Sequence, residues 1–159
     1  MIIKKLTKKY NGKPVVDEID FTIPKGKVIS FIGPNGAGKS TVMGMISRLI
    51  EQDEGIVSFE GKELKEWNSK ELAKRLAILT QNNATQMKLT VKELVTFGRF
   101  PYSNGNTTKE DEEIIERAIQ YMELEELKNR FIDELSGGQR QRCIYRNGNC
   151  TRYRVCFIR

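Results

Sequence analysis

Histidine is absent from the 159 residues, and all three cysteines fall in the closing stretch, at Cys143, Cys150 and Cys156. With no CxxC pair and no imidazole, the chain carries neither a zinc-ligand pattern nor a convincing disulfide frame, and its cysteines read as incidental. No apolar run approaches the ~18 residues needed to cross a bilayer. The opening Met1-Ile2-Ile3-Lys4-Lys5 lacks the plan of a signal peptide. These absences point to a chain that is cytosolic, or peripheral to a membrane that other subunits span. Internal repeats, low-complexity linkers and composition breaks are also missing, so the chain reads as one domain, long enough to bury a core. An apolar content of 38% and a charged content of 30% fit a globular protein rather than a disordered one.

Acidic residues are missing from the tail. Residues 143–159 hold four of the 27 basic residues and none of the 21 acidic ones, which leaves 23 positive against 21 negative charges in residues 1–142. The net charge of +6 is therefore local. A near-neutral body makes no phosphate-backbone footprint, and nucleic acid is excluded as a partner.

What is present begins as short β-like runs. "IIKKLTKKY" leads to a turn at Asn11-Gly12, then "PVVDEIDFTIP" and "GKVISFIG" follow. The nearly continuous apolar run Val28–Ile32 predicts a strand buried on both faces of a parallel sheet. Val42, Met45, Ile46, Leu49 and Ile50 then recur at the spacing of one helix face. "GIVSFEGKEL" reads as a strand and turn, and "RLAILTQ" as a strand ending near Gln81. From about residue 82 the pattern is helical. Thr90 and Glu93 fit a capping box opening a helix through Val95, and Pro101 closes that region. Thr107 and Glu110 fit a second box, followed by Ile114, Ile115, Ala118, Ile119 and Met122 on one stripe. "LEELKNRF" predicts one more short helix. The sum is an α/β core carrying a helical subdomain.

"GPNGAGKST" (Gly33, Pro34, Asn35, Gly36, Ala37, Gly38, Lys39, Ser40, Thr41) matches G-x-x-x-x-G-K-[ST] between a strand and a helix. A triphosphate wants many donors close together, and glycines let backbone N–H groups curl around its oxygens without Cβ clashes. The next helix, starting at about Ala37–Gly38, points its positive end at the same charge. Lys39 reaches the β- and γ-phosphates, Ser40 can ligate Mg²⁺, and Thr41 adds a bond to the α-phosphate.

"LSGGQRQR" narrows the reading. Leu135-Ser136-Gly137-Gly138-Gln139 resembles the signature motif of ATP-binding-cassette (ABC) ATPases, in its expected place after a helical insert. The resemblance covers residues 1 to about 142 and implies a P-loop NTPase fold with an antiparallel β part and a helical subdomain at about 82–135. It implies that Ser136, Gly137, Gly138 and Gln139 grip the γ-phosphate of nucleotide held by a second copy of the subunit. It further implies that Tyr10 stacks on adenine, and that Gln81 touches Mg²⁺ and the attacking water. "LTVKELVTFGRFPY" (Leu89–Tyr102) resembles importer ATPases for iron–siderophore complexes and vitamin B12, in which this run faces the permease. The implied assembly is a homodimer on membrane permease subunits at the cytoplasmic face, fed indirectly by a substrate-binding protein. A soluble ABC ATPase working on DNA or ribosomes is the alternative, though no coiled-coil insert or tandem cassette is present. A non-catalytic nucleotide-binding fragment is the third reading.

Such ATPases also need an apolar strand ending in Asp-Glu after the signature, and a later histidine. Neither is in this sequence, and the final core strands are expected to be missing. Residues 143–159 can be written in synonymous codons whose next frame reads Ala-Phe-Ile-Ala-Met-Val-Ile-Ala-Gln-Asp-Thr-Glu-Tyr-Val-Leu-Leu. That text is an apolar helix followed by the missing strand, with room for the acidic pair. The sequence thus predicts an out-of-frame tail over 143–159, with a natural divergent C-terminus as the alternative, and a truncated ATPase with an unfinished sheet edge, poor nucleotide binding and no useful ATP turnover.

Overall fold

The lysine-rich opening forms β1 (Ile2–Tyr10), and the turn expected at Asn11-Gly12 is present. Both turn residues take left-handed φ values, 50° and 75°, which suit the twist of a two-residue hairpin. β2 (Lys13–Thr22) returns antiparallel on one edge of β1, and β3 (Glu54–Phe59) runs antiparallel on the other. A second tight turn leads into β4 (Lys62–Glu63), giving a sheet ordered β2-β1-β3-β4. Register shifts interrupt β1 between Ile3 and Lys9. There the buried Thr7 hydroxyl accepts from the Glu18 N–H at 3.0 Å and donates to the Lys5 carbonyl at 3.4 Å, satisfying backbone that the ladder leaves over.

The computed structural model describes residues 1–79, 88–103, 105–149 and 155–158, and the chain divides into two units, Met1–Asn68 and Ser69–Arg159. In the first, Ile3, Leu6, Val16, Val57 and Phe59 of the sheet are buried, as are Val42, Met45 and Ile46 of helix α1 (Lys39–Ile46). The helix stops earlier than its apolar stripe. Arg48 adopts φ 61°, its N–H reaches the Met45 carbonyl at 3.1 Å, and the Leu49 N–H reaches Gly44 at 2.8 Å. This double bond pattern ends helices, usually with glycine at the left-handed position. Here the Arg48 guanidinium donates to the Leu64 and Trp67 carbonyls, which holds the arginine in that conformation. Leu49 is left 64% exposed.

One expectation fails outright. Residues 28–32 form no strand; Val28 is 95% exposed and Ile32 94%. Phe31 is anchored edge-on against Phe21 of β2, with ring centroids 5.5 Å apart. A run apolar on both faces becomes a strand only where neighbours complete its ladder. Among the described residues no strand lies beside it.

The second unit contains α2 (Ser69–Ala73), β5 (Leu76–Leu79), α3 (Val91–Phe97), α4 (Phe100–Ser103), α5 (Lys109–Tyr121), α6 (Gly137–Asn149) and β6 (Val155–Ile158). β5, expected from "RLAILTQ", pairs in parallel with β6. The Thr90–Glu93 box caps α3 as expected: Thr90 Oγ1 accepts from the Glu93 N–H, and Glu93 accepts from the Thr90 N–H at 2.7 Å. Pro101 does not close the region but sits in the first turn of α4, where a missing N–H costs nothing. "LEELKNRF" yields a single 3₁₀ turn over Glu125–Leu127, following Glu123 at φ 55°.

The second box is displaced by one residue. Thr108 caps α5 and Asp111 closes the box, where Thr107 and Glu110 were expected. The cause is a buried ion pair: one Asp111 oxygen accepts from Thr108 while the other accepts from Arg99 Nε at 2.7 Å. Only a short acidic side chain in that register meets both partners. The same register buries Ile115, Ala118 and Ile119, which pack with Val91, Val95, Leu124 and Cys143. Cys143 is therefore a core residue, and burial pushes its thiol pKa up, towards an inert form.

The Thr108 backbone N–H, ahead of the Arg99 guanidinium, holds the Asp111 carboxyl below the usual carboxylate range. A depressed native pKa contributes stability above the unfolded-state value and loses it as pH falls through the native one. Asp111→Ala is expected to cost about 2–3 kcal/mol near neutrality. The gap to the parent chain in urea unfolding should close in acid; a gap unchanged down to pH 3 would contradict this account of the pair.

Candidate functional site

The Gly33–Thr41 loop lies between the anchored segment at Phe31 and the start of α1. Its bend is made at Gly36 and Gly38, with φ 84° and 77°. Gly38 is constrained twice, since a Cβ there would stand 2.8 Å from the Val15 carbonyl oxygen and 3.2 Å from Val16. The loop therefore rests directly on β2. Gly38 is also the residue before α1, so no side-chain cap is made there, and the first turn of α1 contains no acidic residue. The result is a helix start rich in backbone donors, with no carboxylate in its own first turn.

Lys39 folds back over this loop. Its ammonium donates to the carbonyls of Gly33 at 2.7 Å and Pro34 at 2.6 Å. The Ala37 N–H closes the turn on Pro34 at 3.3 Å. Asn35, Gly36, Ala37 and Ser40 are exposed, and Thr41 is half-buried. The Lys39 ammonium, the uncapped helix start and the exposed residues Asn35, Gly36, Ala37 and Ser40 thus lie within one glycine-rich turn. An open hollow of about 430 Å³ is lined by Ala37 and Lys39 of this loop together with Val16, Asp17, Phe21 and Phe31. Mg²⁺ would find the Ser40 hydroxyl here. No group of three or more acidic or cysteine side chains suited to a metal occurs among the described residues.

Tyr10 stands at the end of β1 with 47% of its surface exposed. The Lys8 ammonium lies 5.6 Å from its ring centroid and 2.9 Å from Asp53 Oδ1. Asp53 also accepts from the Lys9 N–H at 2.6 Å. Neither Lys8 nor Asp53 was singled out from sequence. The two-residue spacing of Lys8 and Tyr10 puts them on one strand face, a signal that was available; the approach of Asp53 was not.

In the second unit, Ser136 and Gln139 form a reciprocal cap at the head of α6. The Ser136 N–H donates to Gln139 Oε1 at 3.0 Å, and the Gln139 N–H approaches Ser136 Oγ at 3.4 Å. Gly137 and Gly138 are exposed, with open space wherever a Cβ would stand. Leu135 packs against the helical core and anchors the turn. Gln81 lies outside the described residues. Arg99, within the "GRFPY" run, is largely buried against Asp111, and its guanidinium lies 4.1 Å from the Tyr102 ring centroid, so it braces the helical unit internally.

A glycine-rich loop closed by Lys39 ahead of α1 and a glycine-opened helix start at α6 are elements of a P-loop fold. The ABC transporter family model matches residues 16–154, and the chain belongs to that family. It is 51% identical to the petrobactin import ATP-binding protein YclP of Bacillus subtilis over 142 residues, covering 89% of this chain and 56% of the relative. It is 40% identical to the ferric enterobactin transport ATP-binding protein FepC of Escherichia coli, covering 87% and 52%. The chain thus spans about half the length of these curated relatives. The fold agrees with a solved ATP-binding subunit of an ABC transporter at TM-score 0.84 and 24% identity, covering 99% of this chain and 64% of that one. CbiO1 of Clostridium perfringens, part of the transporter complex CbiONQ, agrees at TM-score 0.81 with 24% identity, over 99% and 63%. The α/β P-loop fold with its antiparallel part and helical subdomain is thereby established.

Two substitutions probe these turns. Gly38→Ala imposes a left-handed alanine and an overlap with β2, and should lower stability in urea unfolding by about 2 kcal/mol. Ser136→Ala removes the α6 cap and should cost about 1 kcal/mol. Parent-like unfolding of both would show that neither turn is built as described.

Proposed function

We propose that this chain is the ATP-binding part of an importer subunit, coupling ATP binding and hydrolysis to uptake of an iron–siderophore-like metal chelate. The observation that carries the nucleotide reading is the Gly33–Thr41 loop, where Lys39 and an uncapped helix start lie within one glycine-rich turn. The 51% identity to a petrobactin import subunit supports the choice of cargo class.

In this reading, amides of Asn35–Ser40 surround the β-phosphate. Lys39 exchanges its two carbonyl acceptors for phosphate oxygens, a stronger, charge-assisted bond. Thr41 bonds the α-phosphate and Tyr10 stacks on adenine. Mg²⁺, bound by Ser40 and Gln81, would neutralise charge between the β- and γ-phosphates. Ser136, Gly137, Gly138 and Gln139 of one copy close on nucleotide held by the other, so two copies enclose two ATP molecules. Closure pulls on the permease subunits and hydrolysis resets them. The assembly sits at the cytoplasmic face of the membrane and receives cargo indirectly from a substrate-binding protein. Among the described residues, no helix is long and apolar enough to cross a membrane, which suits a peripheral subunit.

The 159 residues themselves contain no histidine, and none of the residues after the Ser136–Gln139 motif in them is acidic. We therefore expect the purified chain to release no phosphate above background. Lys39→Ala should weaken ATP binding at least ~10-fold in calorimetric titration, the loss of one strong charge-assisted contact. Unchanged affinity in Lys39→Ala, or steady turnover by the 159-residue chain, would overturn the corresponding half of this proposal.

A further inference from the structure

Tyr10 is not a bare ring. One end of β1 turns two lysines toward the start of β3: Lys8 meets Asp53, just ahead of that strand, at 2.9 Å, and Lys9 meets Glu54, its first residue, at 2.7 Å. Asp53 is itself fixed, because its second oxygen takes the Lys9 N–H at 2.6 Å and its own N–H donates to the Thr7 carbonyl at 3.0 Å. The Lys8 side chain, only 16% exposed, is drawn along the strand by this carboxylate and brought 5.6 Å from the Tyr10 ring centroid. A cation at that distance over an aromatic face is attracted by the ring quadrupole.

We propose that Lys8 and Asp53 are positioning residues for base stacking: Asp53 holds the Lys8 ammonium over one face of Tyr10, fixing the ring and leaving the opposite face for a purine. The inference rests on the reading of Tyr10 as the adenine platform. A ring held in one orientation gives up less freedom when a base stacks on it, which strengthens binding without a new contact to the ligand. The carboxylate of Asp53 lies below its usual pKa range, first through the Lys9 N–H and then through Lys8, and Lys8 is raised, first by Asp53. Both shifts keep the pair charged across the neutral range, so the strap persists wherever ATP is bound.

The test compares ATP with inorganic tripolyphosphate, which offers the same charge and no base, by calorimetric titration of the full 159-residue chain. Tyr10→Ala should weaken ATP ~10-fold, the scale of one lost base stack, and leave tripolyphosphate unchanged. Lys8→Met keeps the aliphatic stem and removes the cation, and Asp53→Asn removes the charge that steers it. Each should weaken ATP ~3-fold, again sparing tripolyphosphate, while Lys8→Arg restores parent affinity. Lys8→Met added to Tyr10→Ala should cost nothing more. A loss shared equally by ATP and tripolyphosphate overturns the inference, because the residues would then act through general charge or folding. Parent-like ATP affinity in Lys8→Met and Asp53→Asn alongside a weakened Tyr10→Ala also overturns it, while the platform reading survives. An unaffected Tyr10→Ala removes both.

Discussion

An uncapped helix start is the constraint around which the first unit is arranged. Helix α1 begins at a glycine, without a side-chain acceptor and without acidic residues in its first turn. Donors left in that state favour an anion. The chain reaches this arrangement by geometry: Gly38 presses so closely on the Val15 carbonyl that no Cβ fits. The antiparallel sheet is thus the floor of the Gly33–Thr41 loop, and the same sheet carries Tyr10 at the end of β1. Lys39 places its positive charge on the Gly33 and Pro34 carbonyls of the same loop.

The helices of the second unit begin differently. α3, α5 and α6 are each closed by a reciprocal box, at Thr90–Glu93, Thr108–Asp111 and Ser136–Gln139. Closing these ends saturates nearby donors and leaves stiff helices. At α6 the box is built from the signature residues themselves, while Gly137 and Gly138 between them stay exposed. Local rigidity and an accessible backbone are therefore produced by the same four residues. The Arg99–Asp111 pair extends that rigidity by tying the segment after α3 to the head of α5.

Much of this was legible because it is local. Asn11-Gly12 and Thr90–Glu93 fold as their residue types dictate within four positions. The phosphate loop falls where its glycines and lysine fall. What was misread depends on partners distant in the chain. Residues 28–32 have the composition of a buried strand yet lie exposed, because a strand is defined by neighbours that its own sequence does not contain. The cap of α5 moved from Thr107 to Thr108 because Arg99, twelve positions from Asp111, chose the register.

The sequence by itself determined the Asn11-Gly12 turn, the cap of α3 and the glycine and lysine spacing of the Gly33–Thr41 loop, since each depends on φ preferences and side-chain reach over a few residues. Tertiary structure alone decided which apolar run became a strand, that Cys143 would fill the helical core, and that Asp53 would meet Lys8 from 45 positions away beside Tyr10. The physical reason is the range of the forces. Steric and capping preferences act within a turn of chain, whereas ladders, burial and ion pairs require surfaces that exist only after the chain has folded back on itself.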